Sequence, residues 1–341
     1  MTTNSKKRFL IFLAAFLVVS ARLFSQTIAE SQHKSYSEIV KEATRDKKMF
    51  NHMDLSFTAG TTGLGFDMAM PAGEFFKLRV GGAFMPRFSY KMKFDIQVGD
   101  DPEQSASRFE TLSGYMKQMT GYAVDDHVDM VGKPTINNFK LMLDVLPLRN
   151  KYFHISVGLF AGPSMVAKAT NAVEDMTSLM AVSIYNNLYK KVLNEEDIFA
   201  GIELPPAINA RILNAGMMGM PVGVFARDMT LKDGRTFKAG DNYMMYPNQD
   251  NMVKIKMYAN KLKPYLGVGY GGPISKDKRY SLSFDCGFMC WGETPRVLTH
   301  EGVDLERDLS SVGSQIKSYV NLVKNLKVYP VLDIRVTRKL F

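Results

Sequence analysis

An all-β fold, a transmembrane antiparallel β-barrel of eight strands, is what this sequence predicts, and three observations predict it. The stretch Tyr329 to Phe341 alternates, with Leu332, Ile334, Val336 and Leu340 on one parity and Asp333, Arg335, Thr337 and Lys339 on the other. A period of two describes a strand with one apolar and one polar face. At the other end, Lys6, Lys7 and Arg8 precede an apolar run from Phe9 to Val19, and the small residues Ser20, Ala21 and Ser25 follow. That arrangement describes a secretory signal peptide. Between the ends, strand-like segments are joined by connections of alternating length, every second one a tight turn. Outer-membrane barrels have that asymmetry, with short periplasmic turns and longer outside loops.

The signal peptide is placed at residues 1–25, with cleavage after Ser25 and Ala21 as the weaker site. Its apolar run falls short of the roughly 20 residues that span a bilayer as a helix. Losing it removes Lys6, Lys7, Arg8 and Arg22, which lowers the formal charge from +9 by four, to +5. Such a mild excess does not describe a nucleic-acid binder. Residues 26–50 are polar, weakly helical from Ser35 to Lys48, and read as an N-terminal periplasmic segment; the barrel takes residues 51–341. Past the signal no apolar run reaches helical spanning length, which excludes a helix bundle but not a barrel.

The strands read in order as Met53 to Gly60, Gly63 to Met70, Glu74 to Ile96, Asn138 to Leu148, Lys151 to Pro163, Lys263 to Gly272, Arg279 to Gly292 and Tyr329 to Phe341. Tight turns are expected at Pro71-Ala72-Gly73, Arg149-Asn150 and Ile274 to Lys278. The long connections are 97–135, 164–262 and 293–325, which form extracellular, partly helical insertions. Within them, Asn171 to Phe199 and Leu305 to Leu326 read as helices, and Lys232-Asp233-Gly234-Arg235 as a hairpin turn. If Met220 to Asp228 and Lys254 to Tyr258 entered the membrane, the strand count would be ten or twelve. Cys286 and Cys290, four apart on a strand, stand roughly 13 Å from each other. Disulfide geometry ends near about 7 Å, so both read as free thiols on the apolar face.

In a membrane the apolar parity faces lipid and the polar parity fills the lumen. Closure is then compulsory, because unpaired backbone groups cannot sit in hydrocarbon. Eight strands leave an interior filled by side chains rather than an open channel. The polar lumen network is expected to contain Asp67, Asp144, Asp285 and Asp333 paired with Lys77, Arg79, Lys140 and Arg335, together with His154.

The segments Lys263 to Gly271, Tyr280 to Gly287 and Lys327 to Arg335 resemble the closing strands of small outer-membrane β-barrel proteins of Gram-negative bacteria. The Leu143 to Gly162 pair and the Leu55 to Phe66 opening are similar to that family too, and the Met-rich, Lys-rich style and the Ser25-Gln26 exit resemble Bacteroidetes proteins. The resemblance covers the strands and not the long insertions. It implies a cell outer membrane location, outer-membrane lipid as surroundings and the barrel assembly machinery as a partner. The family ends with an aromatic spaced from a terminal Phe; here Arg338 takes the aromatic's place, and Phe341 falls one residue out of phase behind Leu340.

Catalytic chemistry has one candidate pair, His154 and Ser156, on the same strand face. A few outer-membrane lipid hydrolases use a Ser–His pair on a strand, and such a site needs a third group to orient the imidazole. Neither His154 nor Ser156 has an obvious carboxylate orienter in the sequence, and both share the lumen parity, so they read as structural. Gly267-Val-Gly269-Tyr-Gly-Gly272 lies inside a strand with no helix after it, and is no dinucleotide loop. Asp125, Asp126, His127 and Asp129 read as solvated loop acids rather than a metal site. No cofactor is expected. The apolar positions from Leu179 to Leu193 read as a local core, and Met217 to Met220 with Met244-Met245 as irregular packing. The expected function is a non-enzymatic structural or surface-interaction role, with an extracellular ligand met through residues 164–262. A small pore or hydrophobic-ligand conduit, and a lipid hydrolase using His154 and Ser156, are the alternatives.

Overall fold

The computed structural model describes residues 52–340 apart from residues 74, 100–101, 122–123, 148–151, 198–204, 293–294, 314–315, 318–319 and 322–326. The signal segment 1–25, the segment 26–50, the Arg149-Asn150 turn and Phe341 lie outside those residues.

Eight antiparallel strands close into a barrel. In chain order they are β1 (Asp54–Gly60), β2 (Gly63–Pro71), β3 (Phe76–Phe84), β4 (Asn137–Val145), β5 (Phe153–Ala161), β6 (Leu262–Pro273), β7 (Tyr280–Cys290) and β8 (Val328–Lys339). Each pairs with its sequence neighbour, and β1 meets β8 over a register running from Asp54 opposite Lys339 to Gly60 opposite Asp333. Closure leaves no barrel strand at an edge, as hydrocarbon requires.

The exposure pattern is inverted relative to a water-soluble sandwich. On β2, Phe66 is 55% exposed while its neighbour Asp67 is 1% exposed. The same holds around the wall: Phe57, Phe139, Leu141, Val157, Phe284 and Ile334 are exposed, and Asp144, His154, Ser156, Asp285 and Arg335 are buried. Cys286 is half-buried and Cys290 exposed, and both are free. Lys278, with φ of 56°, turns the chain between β6 and β7, where Ile274 N–H donates to the Tyr280 carbonyl at 2.9 Å.

Five barrel strands do not end at the rim. A second sheet is ordered Arg296–Thr299, Lys254–Tyr258, Met165–Asn171, His127–Pro134 and Tyr90–Asp95. These are continuations of β7, β6, β5, β4 and β3, in the same order as in the barrel. Short bends separate each from its barrel strand. Pro86, Pro163 and Pro295 lie in three of them, and Pro134 ends the fourth strand. Proline gives no N–H to a ladder and restricts the residue before it, which favours a bend beside it; Pro134 itself still pairs with Ala167.

Above this sheet the long connections fold into a cap. A smaller sheet joins Asn242–Met245, Met218–Phe225 and Leu309–Val312, and Gln97–Val98 also pairs with Met218–Phe225. Three helices pack with it: α1 (Pro102–Thr120), α2 (Met176–Leu193) and α3 (Pro206–Ala215). On α1, Ser105, Phe109, Leu112 and Met116 form one face; the first accepts the Val98 N–H at 3.0 Å, and the other three join the cap core. On α2, Leu179, Val182 and Tyr185 are buried, and Asn186 clasps the backbone of Met218 through two 2.8 Å hydrogen bonds. Met218, Met220, Met244 and Met245 are buried among them.

Several sequence expectations are corrected here. Glu74 to Ile96 is not one strand, because the bend after Phe84 moves Tyr90–Asp95 into the cap. Helix α2 starts at Met176, since Asn171 still belongs to a strand. The helix expected over Leu305 to Leu326 is interrupted at its start by the strand Leu309–Val312, which pairs with Val224 and its neighbours. The interval 97–135 holds α1 and the strand His127–Pro134. Met220 to Asp228 and Lys254 to Tyr258 stay in the cap, so the barrel count is eight. Lys232 to Arg235 does form a hairpin, joining Met229–Thr230 to Thr236–Phe237, with Gly234 at φ of 90°.

Leu141 stands at the middle of β4 on the exposed face. Leu141→Arg is expected to cost about 2–4 kcal/mol, the charge penalty at a bilayer midplane. Thr236→Arg, exposed in the cap, is expected to change stability by less than about 0.5 kcal/mol. Denaturant unfolding in lipid vesicles measures both.

Candidate functional site

The lumen has two storeys. The lower one is polar, and strand parity puts its side chains there: residues of β1 to β8 that point away from lipid have nowhere else to go. Its charges come in contact pairs. Lys77 Nζ reaches Asp54 at 2.5 Å, and Lys140 Nζ reaches Asp67 at 2.9 Å. Arg79 Nη2 donates to Asp144 at 2.9 Å, and Arg335 Nη2 to Asp285 at 3.1 Å. Longer contacts link the pairs: Arg79 lies 3.9 Å from Asp285 and 4.0 Å from Asp67, and Arg335 lies 3.6 Å from Asp144. Asp333 is in none of the ion pairs of the described residues and takes the Thr62 hydroxyl at 3.3 Å. Ser56 and Thr337 share a hydrogen bond of 2.8 Å.

His154 and Ser156 belong to this network rather than to each other. His154 Nε2 lies 2.7 Å from Asp285 and 2.9 Å from Arg335 Nη2, so that one nitrogen either donates to the acid or accepts from the guanidinium. Ser156 Oγ donates to Asp144 at 2.6 Å and lies 3.3 Å from Arg79 Nη2. A nucleophilic serine needs a base that takes its proton; here a salt-bridged carboxylate holds that proton. Carboxylates do stand beside both residues, which the sequence did not reveal, because they come from β4 and β7. Gly269 makes room for the His154–Asp285 contact. A Cβ there would lie 2.2 Å from both side chains.

The upper storey is apolar. Met142, Phe160, Met289 and Val331 fill it, with Tyr265 edge-on to Phe160 at 5.6 Å and Trp291 stacked on Tyr329 at 4.9 Å. The Tyr329 hydroxyl donates to the Thr61 carbonyl at 2.6 Å, tying this plug to the β1–β2 turn. One cation intrudes: Lys263, 1% exposed, donates to Asn138 Oδ1 at 3.2 Å. Sequence parity would have placed Lys263 in the lumen, but its apolar surroundings could not be read from β6 alone.

The cap has its own buried polar cluster. Tyr243 donates to Glu301 at 2.6 Å, and Arg235, over the Tyr246 ring at 4.6 Å, donates to the same carboxylate. Burial, then the Glu301 charge, pushes the Tyr243 phenol well above its ordinary range. Asp125, Asp129 and Asp175 gather near the start of α2, where Asp175 accepts the Asp129 N–H at 2.7 Å. No group of metal-ligating side chains able to hold an ion occurs among the described residues.

These features define a class: an eight-stranded transmembrane barrel whose lumen is filled by side chains and whose wall continues into a folded cap. Among solved structures, the chain is similar to CarO2 of Acinetobacter baumannii at 14% identity and a TM-score of 0.37, covering 86% of this chain and 100% of that one. CarO of the same organism matches at 14% identity and a TM-score of 0.37, covering 86% and 99%. A major outer membrane protein from Thermus thermophilus matches at 11% identity and a TM-score of 0.24, covering 85% and 98%. No protein-family model matches the chain, and no curated protein does.

Lys140→Met is expected to destabilise the barrel by about 3–5 kcal/mol, because it leaves Asp67 buried without its nearest cation. Adding Asp67→Leu should restore at least half of that loss in the same unfolding assay. Gly269→Ala is expected to cost about 1–3 kcal/mol by forcing His154 and Asp285 apart.

Proposed function

We propose that the chain is a non-enzymatic protein of the outer membrane of a Gram-negative bacterium, with a structural or surface-interaction role carried by its cap. The observation that carries this reading is the filled lumen beneath a folded cap. Ion pairs occupy the lower storey, aromatic and Met side chains the upper one, and the wall itself extends upward to support the cap. Binding surfaces concentrate in such elaborated connections on rigid scaffolds. In this reading the cap faces outward, residues 164–262 supply most of the surface met by an external ligand, outer-membrane lipid covers the exposed apolar belt, and the barrel assembly machinery inserts the chain.

The conduit alternative is disfavoured by the apolar plug, and the hydrolase alternative by the proton arrangement of Ser156. On intact cells, protease is expected to cut within residues 164–262 without permeabilisation; cleavage only after permeabilisation would reverse the topology. Purified protein in planar bilayers is expected to show no stepwise conductance, and Ser156→Ala no change in any lipid-cleaving activity. Sustained channel openings, or a lipase activity lost in Ser156→Ala, would sink the reading.

A further inference from the structure

We infer that the outer face of the five-stranded sheet above the rim binds the phosphates of a lipid from the cap-side leaflet through a row of three lysines. Lys133 pairs directly with Lys168, and Lys168 directly with Lys256, on three adjacent strands. All three residues are exposed. Like charges set directly opposite on a sheet destabilise it, and an anion laid across the row relieves them. The other cations of this face have an anion within the chain. Lys91 lies 3.5 Å from Asp129, Lys254 3.1 Å from Asp250 and Arg296 3.1 Å from Asp304. Lys133, Lys168 and Lys256 are in none of the ion pairs of the described residues. Their same-face neighbours Val131, Thr170, Lys254 and Leu298 bring no carboxylate.

The position of the row selects a lipid as the carrier of that anion. Met130, Ala169 and Met257 face the opposite way, into the cap core, and Met257 also touches the apolar filling of the lumen. A register shift beside Val166 turns that residue inward, so it does not share the face of Lys168. The lysine face is therefore the outer wall, continuous below with the lipid-facing parity of β4, β5 and β6. Lys133 stands four residues before Asn137, where β4 begins, and four residues span at most about 14 Å. Phosphates of a leaflet lie in the headgroup layer just outside the hydrocarbon. Lysine stems run along apolar surface and bring their ammonium groups to that layer. Adjacent strands are about 4.8 Å apart, so the three stems span roughly 10 Å, wide enough for two phosphates of one headgroup. The lipid contact proposed above thus extends from the apolar belt to a headgroup site. It rests on that membrane reading, though not on which side of the membrane the cap faces.

The test titrates the full chain, refolded in a neutral detergent, with diphosphorylated lipid A, its dephosphorylated form and inorganic pyrophosphate. Native mass spectrometry counts the ligand retained. Lipid A is expected to be retained saturably, and the dephosphorylated lipid at least about tenfold more weakly. Lys133→Gln, Lys168→Gln and Lys256→Gln together should weaken lipid A retention by about tenfold or more. Lys190→Gln, Lys232→Gln and Lys238→Gln remove the same charge from exposed cap positions. They should change retention by less than about twofold, because distant exposed charges are screened. Equal retention of the dephosphorylated lipid, or no loss in the row variant, would overturn the proposal. So would an equal loss in the cap variant, or saturation by pyrophosphate at or below the lipid A concentration. Should the triple row variant fail to refold, Lys168→Gln alone removes the charge that the other two share as neighbour. Retention about threefold weaker is then expected, and unchanged retention overturns the site. The surface role is read from protease access and conductance, so either reading can fail alone.

Discussion

Backbone polarity is the constraint on which the rest of this structure depends. A strand facing acyl chains can satisfy its N–H and C=O groups only through its neighbours, so the sheet has to close on itself. The β1–β8 seam does this, and it fixes which residues point inward. Once eight strands are joined, the enclosed volume is small, and it must be filled by whatever the inward parity supplies. Here that parity supplies charged residues in the lower storey. Their burial is tolerable because the acids and bases meet: Asp54 with Lys77, Asp67 with Lys140, Asp144 with Arg79 and Asp285 with Arg335.

The network is also cross-linked, which matters more than any one pair. Arg79 approaches carboxylates from β2, β4 and β7, and Arg335 approaches those from β4 and β7. Strands that are not neighbours in the sheet are thereby joined through the interior. Buried ion pairs give little net stability over an apolar filling, yet removing one partner is severe. The arrangement specifies a single inward packing rather than adding much to its depth. His154 and Ser156 take part as hydrogen-bonding fillers at two nodes of that lattice.

The barrel strands were legible because alternation is a strong signal when one face meets lipid and the other charge. The bends were not, although Pro86, Pro134, Pro163 and Pro295 marked them; Glu74 to Ile96 keeps its alternation on both sides of the break. Leu305, Leu309, Val312, Ile316 and Val320 are spaced three or four apart, as on a helix face. All five are at least partly buried, yet the first three belong to a turn and a short strand. Spacing alone cannot separate these when segments are short. Helix α1 was hidden because Phe109, Leu112 and Met116 are diluted by small and polar neighbours such as Ser107, Arg108, Glu110, Thr111 and Ser113. Parity named the lumen residues but not their pairing, since strand tilt and stagger decide which inward charges meet. Asp54 as the partner of Lys77 shows this.

The β1–β2 connection consists of Thr61 and Thr62, whereas the wall from β3 to β7 rises past the rim. The cap is thus cantilevered from one flank of the cylinder and rooted there in five adjacent strands. A support of that breadth resists swivelling about the membrane normal. Anything seated on the cap would inherit a fixed compass bearing relative to the barrel below, so neighbouring copies could differ in heading but not in how each one holds its guest.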